Sequence, residues 1–181
     1  NNIFKINIPC KGEIKKDFLL EVVEYIGKNY SDLDVIYHYS FFHQFYKNNR
    51  YSYDHFLRFI DKCISFKNKE ILLVSGSKNR SGLDVINVLN ELKGDLNYKI
   101  NFGIAYNPYF SKYHEIKQER KRLLEKLSSG LINSIWLQLG SDLSLLKKNI
   151  YFLNKYIEIN KNLFGNFSIH GSLFIPSKQS L

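Results

Sequence analysis

A chain of 181 residues, 44% hydrophobic and 15% aromatic, can bury one substantial core but is short for two. Its net charge of +9 would suit anionic partners, yet the lysines are scattered and the densest basic run, Arg120-Lys121-Arg122, shares a helix with Glu115, Glu119 and Glu125. That argues against nucleic-acid binding; no stretch approaches the ~20 apolar residues of a membrane span, and the two distant cysteines, Cys10 and Cys63, show neither disulfide nor zinc spacing.

In chain order, residues 4–8 read as a first strand, followed by a helical stripe of Phe18, Leu19, Val22, Val23 and Ile26. A second strand spans 33–39 and ends in His38 and Tyr39. The next helix carries Phe56, Leu57, Phe59, Ile60 and Ile64, with Cys63 packing among them as a small hydrophobe. The third strand, 71–74, runs into the small-residue turn Ser75-Gly76-Ser77. Leu83, Ile86, Leu89 and Leu92 mark a third helix, with Ser81 as its expected N-cap, Asp84 in its first turn and Gly94 just past its end.

A fourth strand, 99–105, ends in Tyr106-Asn107-Pro108. The charged helix that follows carries Leu123, Leu124 and Leu127 and is closed by Gly130. The fifth strand, 132–137, is almost continuously apolar, as expected of a strand buried on both faces. Ser141 is placed as N-cap and Asp142 in the first turn of a last helix bearing Leu143, Leu146, Ile150, Leu153 and Ile157. A sixth strand is expected at 167–174.

Strands recurring about every 30–37 residues have the pitch of βα units, so the fold class is α/β. Six units are fewer than the eight of a (β/α)8 barrel, which takes about 250 residues. The expectation is therefore a single TIM-type barrel domain over 1–181, incomplete at one or both ends. A start at Asn1 and the absence of methionine also suggest a segment of a longer chain. An open doubly wound sheet would want a glycine-rich phosphate turn after the first strand, where the sequence reads Pro9-Cys10-Lys11-Gly12.

Polar groups at the C-terminal ends of strands are the candidate site of such a fold. His38 is a candidate base or ligand contact, with a structural histidine as the alternative. Ser75–Ser77 suits either a close approach to phosphate or an ordinary βα turn. Tyr106 and Asn107 suit a flat heterocycle or a simple loop start. Gln138, an amide among Trp136, Leu137 and Leu139, either faces a ligand cavity or bonds to neighbouring backbone. Lys126 suits a phosphate contact or a cation near the negative end of its helix. No nucleophile elbow, zinc-protease or Walker motif is present and no carboxylate pair lies in an apolar setting, so catalytic residues stay unassigned and no metal is expected.

The pieces Ala105-Tyr106-Asn107-Pro108, Lys126-Leu127-Ser128-Ser129-Gly130 and Leu137-Gln138-Leu139-Gly140-Ser141-Asp142 resemble the methylenetetrahydrofolate reductase family, which carries an alanine-tyrosine-proline-type turn, K-V-x-A-G and T-Q-x-x-x-D. His38-Tyr39-Ser40-Phe41, Leu73-Val74-Ser75-Gly76-Ser77 and His170-Gly171-Ser172-Leu173-Phe174-Ile175-Pro176 are similar to its H-L-T-C, L-R-G-D and P-G-I-x-P segments. The resemblance implies a cytoplasmic flavoprotein of one-carbon metabolism and methionine biosynthesis. It would be an FAD-dependent oxidoreductase reducing methylenetetrahydrofolate to methyltetrahydrofolate at the expense of NAD(P)H. It also implies that Tyr106, Lys126, His38 and Ser77 lie at the cofactor and that Gln138 touches the substrate.

The chain departs from the family where catalysis is concerned. No acid stands on the first strand (Phe4-Lys5-Ile6-Asn7-Ile8-Pro9), Ser77 replaces an aspartate, and Glu125 replaces an arginine. Losing a positioned acid removes general-acid help worth ~10²–10⁴-fold. The alternative expectation is a catalytically impaired relative that binds a folate, a flavin or a protein partner. The partners expected are a small-molecule folate and a second copy of the chain, with no nucleic acid and no membrane.

Overall fold

A computed structural model describes residues 5–10, 17–75, 83–93, 99–163 and 167–171. Strands and helices alternate as β1 (Lys5–Ile8), α1 (Phe18–Asn29), β2 (Asp34–Ser40), α2 (Asn49–Ser65), β3 (Glu70–Val74), α3 (Val85–Leu92), β4 (Asn101–Tyr106), α4 (Tyr113–Leu127), β5 (Ile132–Leu137), α5 (Leu143–Ile159) and β6 (Ser168–His170). The fold is α/β, with strand order following the chain, β1-β2-β3-β4-β5-β6. The chain divides into two compact units, Asn1–Gly103 and Ile104–Leu181.

In the first unit β1, β2 and β3 run parallel, with Ile6 opposite Val35, Ile36 opposite Glu70 and His38 opposite Leu72. Tyr37 and Tyr39 share one face of β2 and meet α2: Tyr37 lies edge-on to Phe59, and the Tyr39 ring lies 4.8 Å from Phe56 and 5.0 Å from Phe59. Cys63 completes this layer, fully buried, and burial raises its thiol pKa well above the usual range. Glu24 of α1 accepts from Lys28 and from Lys62 of α2, both at 2.5 Å. Lys28 first and then Lys62 hold the Glu24 pKa down to about 2.

The second unit buries Ile104, Tyr106, Leu123, Leu127, Ile135 and Leu153. Its β5 and β6 run parallel, with Ser134 opposite Ser168 and Trp136 opposite His170. Gly130 closes α4 at φ +75°, the left-handed conformation that glycine adopts without strain.

Two caps differ from expectation. Asp84, not Ser81, caps α3 by accepting from the Asn87 backbone N–H, and Asp142, not Ser141, caps α5 by accepting from Leu145. A carboxylate both accepts the free N–H and complements the positive helix end, so aspartate outcompetes the nearby serine. Ser81, Gly94 and the segment 172–174 lie outside the described residues. Among the described residues no helix is long and apolar enough to cross a membrane.

Candidate functional site

The C-terminal strand ends of each unit carry different chemistry. In the first, His38 lies on the face of β2 opposite Tyr37 and Tyr39, because side chains alternate along a strand. It is half-buried, and its Nε2 has no hydrogen-bond partner. Desolvation lowers its pKa from the ordinary 6.5, so the ring is neutral at pH 7. Ser77 lies outside the described residues.

That depressed pKa has a sign. The unfolded chain takes up a proton at His38 below about pH 6.5, and the folded chain resists it, so stability is full above pH 6.5 and falls as the pH drops. His38→Asn is expected to flatten the loss of stability between pH 7.5 and 5.5, measured by urea unfolding at each pH. Identical pH profiles for the two proteins would contradict a desolvated imidazole.

Behind Tyr39, the first unit holds a second polar chain. The Tyr39 hydroxyl shares a 2.9 Å hydrogen bond with His55 Nδ1, and His55 Nε2 lies 3.5 Å from the Asp17 carboxylate. Gln44 Nε2 donates to Cys10 Sγ at 3.2 Å. Burial raises the Tyr39 phenol pKa above its usual range, so it serves as a hydrogen-bonding group and not as an acid.

In the second unit the Tyr106-Asn107-Pro108 turn is clamped by two helices. The Asn107 backbone N–H donates to Glu119 of α4 at 3.0 Å, and its side-chain oxygen accepts from the Tyr109 N–H at 3.0 Å. Asn149 of α5 is the hub. Its Oδ1 accepts from the Tyr106 hydroxyl at 2.9 Å and from Arg120 Nε and a terminal guanidinium nitrogen at 3.2 and 3.0 Å. Its Nδ2 donates to the carbonyls of Pro108 at 2.8 Å and Leu145 at 3.0 Å. The Arg120 guanidinium also sits 4.1 Å over the Phe152 ring. The space between Tyr106, Pro108, Glu119 and Asn149 is too small for a water molecule.

Tyr106 therefore lies buried in the helix-facing layer, 1% exposed, with its hydroxyl engaged. Lys126, in the last turn of α4, is also buried, at 7% exposure. Gln138 is the reverse case. It directly follows β5, its backbone N–H donates to the Tyr106 carbonyl at 2.8 Å, and its side chain is exposed. That backbone bond keeps the parallel register, which sets Gln138 on the face of β5 that bears Ser134 and Trp136, opposite the face of Tyr106 and Leu137. The following loop is held by Gly140, where a Cβ would overlap the Tyr109 ring.

Sequence reasoning missed Asn149, Arg120 and Glu119, and the pairing of Trp136 with His170. Asn149 did leave a signal: it is a polar residue inside the apolar stripe of Leu146, Ile150 and Leu153. Among the described residues no group of three or more His, Cys, Asp or Glu is placed to hold a metal ion. The chain matches no protein-family model and no curated protein.

Proposed function

We propose that this chain is part of a (β/α)8-type domain of the methylenetetrahydrofolate reductase kind, whose strand ends bind a folate- or flavin-class heterocycle. One observation carries the reading: the exposed Gln138 amide stands at the C-terminal end of β5, on the sheet face that bears Trp136. An amide there can pair with the donor–acceptor edge of a pterin or isoalloxazine while the sheet supports the ring. Binding of a small molecule in the cytoplasm, without nucleic acid or membrane, fits the same reading.

The fit to FAD is poor at two of the residues suggested for it. The Tyr106 ring is buried and its hydroxyl is bound to Asn149, and Lys126 is buried in the last turn of α4. A flavin cannot contact either side chain without displacing that packing. This favours binding without turnover, the impaired-relative alternative. The second reading is the reductase itself, NAD(P)H-dependent and FAD-mediated. It is supported by His38, a neutral imidazole at the end of β2 whose buried Nε2 has no hydrogen-bond partner.

Thermal unfolding with added folate or FAD separates these outcomes. A ligand at 100 times its Kd stabilises by about 2.7 kcal/mol, a readily measured shift. The shift is expected with at least one of the two ligands and is expected to shrink in Gln138→Ala. No shift with either ligand at millimolar concentration would sink the binding reading. FAD-dependent oxidation of NAD(P)H by the same protein would promote the reductase reading over it.

A further inference from the structure

The chain has two cysteines and no methionine, so its oxidisable sulfur is confined to Cys10 and Cys63. Cys63 is fully buried and burial raises its thiol pKa, so an oxidant in solution does not meet it as a thiolate. Cys10, two residues beyond β1, is only half-buried. Its Sγ accepts a hydrogen bond from Gln44 Nε2 at 3.2 Å. Gln44 stands in the turn after β2, where its backbone N–H donates to the Ser40 carbonyl at 2.8 Å and fixes the residue. Gln44 is 1% exposed, and its side-chain Oε1 is buried with no hydrogen-bond partner. The Cys10 sulfur therefore meets one end of a buried amide while the other end stays stranded, and a buried acceptor without a donor is costly.

We infer that Cys10 is a redox modification site, which a small hydroperoxide oxidises to a sulfenic acid whose new hydroxyl serves the stranded Gln44 oxygen. The Cys10 thiolate attacks one peroxide oxygen, so an S–O bond forms as the O–O bond breaks. Sulfur gives up two electrons, and the second oxygen leaves as hydroxide or an alkoxide and is protonated by solvent. Protonation of the sulfenate then yields S–O–H. A thiol is a weak donor, whereas the sulfenic acid places a strong O–H donor one bond from the sulfur that the amide already holds. Oxidation thereby completes the hydrogen bonding of a buried amide, which stabilises the oxidised state and slows its passage to sulfinic acid. Cys63, being fully buried, offers no resolving thiol, so the sulfenic acid is the state retained. Neither Cys10 nor Gln44 takes part in the heterocycle binding proposed above.

Brief treatment of the intact chain with hydrogen peroxide, followed by dimedone and peptide mass mapping, is expected to label Cys10 and leave Cys63 unlabelled. The same oxidation, before any dimedone is added, is expected to raise the melting temperature. That rise should be absent in Cys10→Ala and in Gln44→Leu, with circular dichroism checking that each variant folds. In Gln44→Leu the sulfenic acid should pass to sulfinic acid about fivefold faster under the same peroxide, the scale of one neutral hydrogen bond. Should Gln44→Leu fail to fold, the labelling and the melting temperature of the unaltered chain decide the matter. No dimedone adduct on Cys10, or a melting temperature that is unchanged or lower after oxidation, overturns the modification site. Sulfinic acid forming equally fast with and without the Gln44 amide overturns it as well.

Discussion

Asn149→Leu is expected to destabilise the second unit by about 3–5 kcal/mol, because it strands several buried groups at once. The asparagine is 2% exposed and satisfies the Tyr106 hydroxyl, the Arg120 guanidinium and the Pro108 carbonyl from one amide. Leucine nearly preserves the volume and the helix, so the loss reports hydrogen bonding and not packing. The guanidinium contributes most, since bonds to charged groups are worth about 1.5–3 kcal/mol against about 1 for neutral ones. Tyr106→Phe removes a single neutral bond and should cost about 1 kcal/mol, leaving Arg120 in place on Asn149. Urea unfolding of both variants checks the contrast. A cost below 1 kcal/mol for Asn149→Leu would show that the hub does not support the turn after β4.

Phe56→Ala is expected to cost the first unit about 3–5 kcal/mol, the range for emptying a large aromatic site in a core. Phe56 is fully buried and its ring centroid lies 4.8 Å from Tyr39, 5.0 Å from Phe41 and 6.4 Å from Phe102. These are flat, rigid neighbours that cannot collapse into the hole as a flexible side chain would. Phe56→Leu, which fills most of the volume, should cost about 1–2 kcal/mol. The tyrosine face of β2 is then loosened, and β2 is the strand that also presents His38. Equal melting temperatures for Phe56→Ala and the unaltered chain would contradict the aromatic layer as the core of this unit.

The strand–helix alternation was legible because period and burial coincide. The runs at 132–137 and 71–74 emerge as β5 and as most of β3: Ile71–Val74 is unbroken in apolar residues, and Ile135–Leu137 carries the signal in β5 past the polar Asn133 and Ser134. Helix starts were harder to read. α2 begins at Asn49, well before its apolar stripe, because Asn48 caps it and its first turns are polar and aromatic. Where Ser141 and Asp142 stand side by side, pattern alone does not decide the cap, and the carboxylate took it.

The positions of the candidate residues along their strands were legible, and their directions were not. Gln138 was recognisable as a lone amide at a strand end, and it stands exposed there because the apolar run stops at Leu137. Tyr106 sits one residue into the opposite alternation, so the same strand end turns its ring into the helix layer. Which face a strand-end residue takes depends on register, and register needs the neighbouring strand. The Trp136–His170 stack illustrates this: two separate Ser-Ile-aromatic tripeptides become one feature only once β5 and β6 pair.

The role proposed for the strand ends is to hold a flat heterocycle. Its most direct test is to mix the protein with excess FAD or folate, pass each mixture through gel filtration and record the absorption spectrum of the protein fraction. Ligand absorbance is expected to co-elute with the unaltered chain and to be much reduced with Gln138→Ala. Protein that emerges free of both ligands at millimolar loading would contradict it.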